Sequence, residues 1–83
     1  MTKPEIAERV LRYVVENIVD EPTAIQIEMI EEGDAAATAE VKTAKGDMGR
    51  VIGRRGRTAR SIRTVTSAAG EEEGFDVRVE FLD

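Results

Sequence analysis

The residues with chemistry to offer cluster in one stretch. From Gly49 to Thr64 the chain reads Gly-Arg-Val-Ile-Gly-Arg-Arg-Gly-Arg-Thr-Ala-Arg-Ser-Ile-Arg-Thr. Gly53 and Gly56 bracket Arg54 and Arg55, with Arg50 before them and Arg57, Arg60 and Arg63 after. Glycine lacks a Cβ, so it permits a tight turn and close approach of a ligand to bare backbone. Guanidinium groups bring permanent charge and planar donors that match phosphate oxygens. This is equipment for holding a polyanion rather than for breaking bonds.

The charge distribution sharpens the point. Residues 42–63 carry eight cations and one acid, net +7, while the rest carry four cations and sixteen acids, net −12. The overall charge of −5 therefore hides a basic island, and a polyanion responds to the local field. Of the island's members, Arg63 reads as a solvated surface residue, whereas Lys42 and Lys45 are equally compatible with surface and site. Glu71-Glu72-Glu73 reads as a solvated, solubilising connector.

Histidine and cysteine are both absent. That removes disulfides, thiol and imidazole catalysis and the common zinc sites. The glycines do not fit G-x-x-x-x-G-K-[ST], and no strand runs directly into them as a nucleotide-binding loop requires. No enzyme activity, metal or cofactor is expected. Tyr13, Phe75 and Phe81 are the only aromatics, so the core must be aliphatic and base stacking has little support. Pro4, Glu5, Glu8 and Arg9 stand where a secretion signal needs an apolar run, and no segment approaches a membrane span. A cytoplasmic chain of one domain, residues 1–83, with no membrane contact, is expected.

The elements that must position the island follow from local patterns. Thr2 and Glu5 form a capping box for a helix whose inner face is Ile6, Val10, Leu11, Val14 and Ile18, ending before Pro22. Thr23 to Ile30 alternates as a strand with Ile25, Ile27 and Met29 inward. A second strand is predicted over 37–43, although Ala35-Ala36-Ala37 is also compatible with a helix start. Asp47 is placed to cap a short helix through Met48, Val51 and Ile52 that halts at Gly53. A further helix over 57–69 puts Ala59, Ile62, Val65 and Ala69 inward and stops at Gly70. Phe75, Val77, Val79 and Phe81 form one face of a last strand. The order is helix, strand, strand, helix, helix, strand. The long connection between the second and third strands allows a parallel pairing. An α+β fold follows: a three-stranded mixed sheet covered on one face by three helices.

Val51-Ile52-Gly53-Arg54-Arg55-Gly56-Arg57-Thr58-Ala59-Arg60-Ser61-Ile62-Arg63 resembles the signature of a KH domain, and the element order is similar to the bacterial, type II arrangement. Length and leading helix resemble the small single-domain KhpA-type RNA-binding proteins of bacteria. The resemblance implies a G-x-x-G loop that clamps about four nucleotides of single-stranded RNA backbone. It implies that Gly53 and Gly56 shape the loop and that Arg54 and Arg55 face phosphates. Arg57, Arg60 and Arg50 would add contacts, with Val51, Ile52 and Ile62 either in the core or under bases. Lysine is frequent in such loops, so two arginines are a departure that keeps charge and adds a planar fork. Acidic Asp76 and Glu80 on the last strand are another, since they would repel backbone if that strand lines the groove. Self-association as a homodimer, or pairing with a larger KH-containing RNA-binding protein, is also implied, as is a role as RNA chaperone or post-transcriptional regulator. The residues leave open a second role, in which the same surface docks a protein on the ribosome or in an envelope-growth pathway.

Overall fold

The computed structural model describes residues 3–82. The chain runs α1 (Glu5–Glu16), β1 (Gln26–Glu31), β2 (Ala36–Lys42), α2 (Met48–Ile52), α3 (Arg57–Glu72) and β3 (Asp76–Phe81), with 3₁₀ turns at Pro22–Ala24, Lys45–Asp47 and Arg54–Gly56. β1 starts three residues later than its alternation suggests. Pro22 opens a turn in which Ala24 N–H bonds Glu21 O at 3.0 Å and Ile25 N–H bonds Pro22 O at 3.2 Å. Backbone donors committed to that turn are lost to the ladder.

The sheet order is β1-β2-β3. β1 and β2 are antiparallel, from Gln26 opposite Lys42 to Glu31 opposite Ala37. β2 and β3 are parallel, from Ala36 beside Asp76 to Val41 beside Phe81. The crossover between them holds α2, the glycine loop and α3, so the parallel pairing is what brings the basic island back against β3. Ala37, Ala39, Val41, Val77 and Val79 are buried on the helix side. With Leu11, Val15, Ile25, Val51 and Ile62 they make an aliphatic core, as the scarcity of aromatics requires. Fully burying a side chain such as Leu11 contributes about 1.5–3 kcal/mol. On the open face the registers set Glu28 opposite Glu40 and Glu40 beside Glu80, a row of three carboxylates.

Several positions differ from the sequence patterns because a distant partner decides them. In α1 the buried stripe is Ala7, Leu11 and Val15, and Ile6 is 51% exposed. In α3 Ala59 and Ile62 are buried as expected, but the stripe continues through Thr66 and Gly70, one residue on from Val65 and Ala69, leaving Val65 47% exposed. The smaller residues allow α3 to lie tight on β3: a Cβ on Gly70 would sit 2.5 Å from Val77 Cγ2. Gly70 therefore does not stop the helix. α3 continues to Glu72, and Gly74, at φ 82°, reverses the chain. Phe75 N–H bonds Gly70 O at 2.8 Å and Gly74 N–H bonds Glu71 O at 3.0 Å, closing a Schellman end.

Two carboxylates hold the fold together in ways the sequence did not suggest. Glu73 is no solvated connector: it accepts from Ile6 N–H and Ala7 N–H, each at 3.0 Å, capping α1 from the far end of the chain. Free N–H groups and the helix dipole both favour an anion there. The expected capping box rests on Thr2, which lies outside the described residues. Asp47 precedes α2 but makes no side-chain cap bond. Its carboxylate, 3% exposed, accepts from Asp20 N–H and Glu21 N–H at 3.1 Å each. That ties the chain leaving α1 to the base of α2.

Candidate nucleic-acid interface

The Gly53–Gly56 loop is a helix-helix joint of minimal length. Gly53 ends α2 at φ 76°, ψ 175°, a conformation open essentially to glycine alone. Its missing Cβ also has an internal cause, because Thr58 Cβ lies 2.6 Å from where it would be. Gly56, at φ 73°, is different: nothing lies within 4 Å of its absent Cβ, so the backbone faces open space. Between them Arg55 is left-handed, at φ 58°, ψ 24°. An arginine held in that region costs on the order of 1–2 kcal/mol. Gly56 N–H closes the turn on Gly53 O at 3.2 Å.

Arg54, Arg55, Arg57 and Arg60 are exposed, and among the described residues no carboxylate lies within 4 Å of any of them. The first turn of α3 holds no acid and no side-chain cap, which leaves its positive end uncompensated next to the loop. The other island members are placed differently. Arg50 is paired, with Asp20 at 2.9 Å and with Asp47 at 3.4 Å, so it braces α2 against the preceding connection. Val51 and Ile62 are buried in the core and hold the loop from beneath, while Ile52 is partly exposed. Lys42 is exposed on the open sheet face and Lys45 borders a cavity with Met48 and Leu82.

Arg63 is exposed, as expected of a surface residue, and also makes contacts that the sequence does not announce. Its Nε–H donates to Val79 O at 3.1 Å and its guanidinium lies 5.3 Å from the centre of the Phe81 ring. It bridges α3 to the outer edge of β3, where a shallow cleft opens between the two elements. Glu80 and Arg78 both border that cleft, so the acid there is accompanied by a cation. No spacing rule marks Arg63, since its partners come from a strand more than a dozen residues away.

Three helices on one face of a mixed sheet, with a glycine-flanked basic loop joining two of them, make a KH domain. Residues 8–81 match the family model described as KhpA/KhpB, KH domain, and the chain belongs to that family. It is 37% identical over 76 residues to an RNA-binding protein KhpA of Listeria monocytogenes, covering 92% of this chain and 99% of the relative. It is 34% identical over 73 residues to an RNA-binding protein KhpA of Borreliella burgdorferi, covering 88% of each. A third such protein, from Clostridium acetobutylicum, is 38% identical over 74 residues, covering 89% of this chain and 97% of the relative. Among the described residues no helix is long and apolar enough to cross a membrane.

Proposed function

We propose that this chain, acting as one domain, is a non-catalytic single-stranded RNA-binding protein of the cytoplasm. Gly53, Arg54, Arg55 and Gly56 grip the sugar-phosphate backbone, and Arg57 and Arg60 extend the contact along α3. The observation that carries this is the set of four exposed arginines without carboxylate partners around a loop whose Gly56 backbone is open. The names of the relatives, RNA-binding proteins throughout, support it. Binding of this kind releases counterions, with a slope of about −0.7 in log K per phosphate against log salt for single strands.

One small groove makes few contacts, so work as an RNA chaperone or post-transcriptional regulator needs avidity. Ile6, Tyr13 and Val65, exposed on the two helices that pack together, favour self-association or pairing with a larger KH-containing protein. The same three residues favour the second role, docking on a protein partner. Replacing Arg54 and Arg55 with Asp separates the two. The variant should lose single-stranded RNA binding while its circular dichroism is unchanged, because aspartate tolerates the left-handed conformation at position 55. Undiminished affinity in that folded variant rejects the RNA grip and leaves protein docking.

A further inference from the structure

One acid stands inside the basic island, Asp47, and a grip on polyanions gives no reason for it. We propose that Asp47, Arg50 and Asp20 form a clasp that positions the glycine loop, so that Arg50 and Asp20 set RNA affinity without touching RNA. The inference rests on the RNA reading above and concerns residues that reading leaves out.

The three residues close a ring. Asp47 Oδ1 accepts from Asp20 N–H at 3.1 Å, and Arg50 Nε lies 3.4 Å from that same oxygen. Arg50 then returns to Asp20, its terminal nitrogen 2.9 Å from Asp20 Oδ2. α2 is the element that needs such a clasp. Its five residues make little more than one turn, too short to hold a helical shape alone. Buried Val51 fixes its depth, and Gly53 N–H, bonded to Gly49 O at 2.9 Å, hangs the loop on its last turn. One apolar anchor leaves α2 free to swing about it. The ring restrains that swing by tying the start of α2 to the chain leaving α1, and Gly53 follows α2 directly, so the same restraint places the loop.

Arg50 is poorly placed to hold RNA itself. Helical side chains lean toward the helix N-terminus, and its guanidinium does so, reaching back to Asp47 and away from the loop. Two carboxylates already claim its charge. Asp20, its side chain 68% exposed, hinders a polyanion by charge alone. The clasp reverses that sign: losing Asp20 should cost affinity.

The test follows labelled octauridylate by fluorescence anisotropy across a salt series, with circular dichroism on each variant. Asp20→Asn removes a negative charge yet should weaken binding about threefold, the scale of one exposed ion pair, and Asp20→Glu should restore most of the loss. Arg50→Gln should weaken binding about fivefold, as both pairs go, with the salt slope unchanged. Arg54→Gln should instead lower the slope by about 0.7, one phosphate contact. Without RNA, amide exchange at Gly53 and Gly56 should quicken in Asp20→Asn and Arg50→Gln and stay unaltered in Arg54→Gln. Unchanged or tighter binding by Asp20→Asn overturns the clasp and leaves the backbone grip standing. So does a slope that falls in Arg50→Gln, or exchange at the two glycines that does not change. Asp20→Asn, at an exposed position, decides the matter if Arg50→Gln does not fold. An unaltered protein that binds no octauridylate overturns the grip and the clasp together.

Discussion

Thr58 occupies the space that a Cβ on Gly53 would fill, its own Cβ being 2.6 Å from that position. The first glycine of the loop is thus required twice, by its backbone conformation and by its neighbour. The second is required only by conformation, since nothing crowds Gly56. Gly53→Ala should cost about 2–4 kcal/mol, strain plus overpacking. Gly56→Ala should cost about 1–2 kcal/mol. Urea unfolding of both variants checks the ranking, and equal losses contradict it.

Arg55 combines a strained backbone with an exposed charge, so the two contributions separate by substitution. Arg55→Asn should keep stability within about 0.5 kcal/mol, because asparagine accepts a left-handed φ. It should also reduce the salt slope of RNA binding by about 0.7, one phosphate contact. Arg55→Val, β-branched at the same φ, should cost more than 1 kcal/mol in addition. Thermal melts and binding across a salt series measure the two effects independently.

Gly70→Ala is ordinarily a gain in a helix interior, about 0.5–1 kcal/mol. Here it should destabilise by a net ~1–2 kcal/mol, as the added methyl meets Val77 Cγ2 at 2.5 Å and Phe75 O at 3.2 Å. Restoration of stability in Gly70→Ala combined with Val77→Ala, relative to Val77→Ala alone, identifies the clash as the cause.

The three consecutive glutamates after Gly70 should behave unequally. Glu73→Ala removes the acceptor for Ile6 N–H and Ala7 N–H and should cost about 1–2 kcal/mol. Glu71→Ala and Glu72→Ala, at exposed positions, should stay within about 0.5 kcal/mol. Chemical denaturation of the three single variants decides it, and a uniform response contradicts the cap.

Strand alternation and the glycine joint were legible because each depends on residues near one another, and the parallel crossover because the length of a connection is read directly along the chain. What stayed hidden depends on partners far along it. Glu73 and the start of α1 are separated by 67 positions, and Asp47 and Asp20 by 27. No local pattern announces either. Val65 was misplaced for a related reason: helical periodicity gives the spacing of a stripe, and the tight approach of α3 to β3 at Gly70 sets which stripe is buried. Arg63 is exposed as the sequence suggests, but its contacts with Val79 and Phe81 come from a strand that helical spacing cannot see. Arg50 differs again: Asp47 stands three residues before it inside the same island, but nothing local shows that Asp20, thirty positions back, pairs with it too.

The carboxylates of Glu28, Glu40 and Glu80 stand side by side across the open sheet face, and like charges facing each other across strands oppose folding. Dissolved ions screen that repulsion and also screen the attraction of the loop for a polyanion. Rising ionic strength therefore works on the two sides of this molecule in contrary directions, firming the scaffold while loosening its grip. A protein built this way is sturdiest under the conditions in which it holds its ligand least.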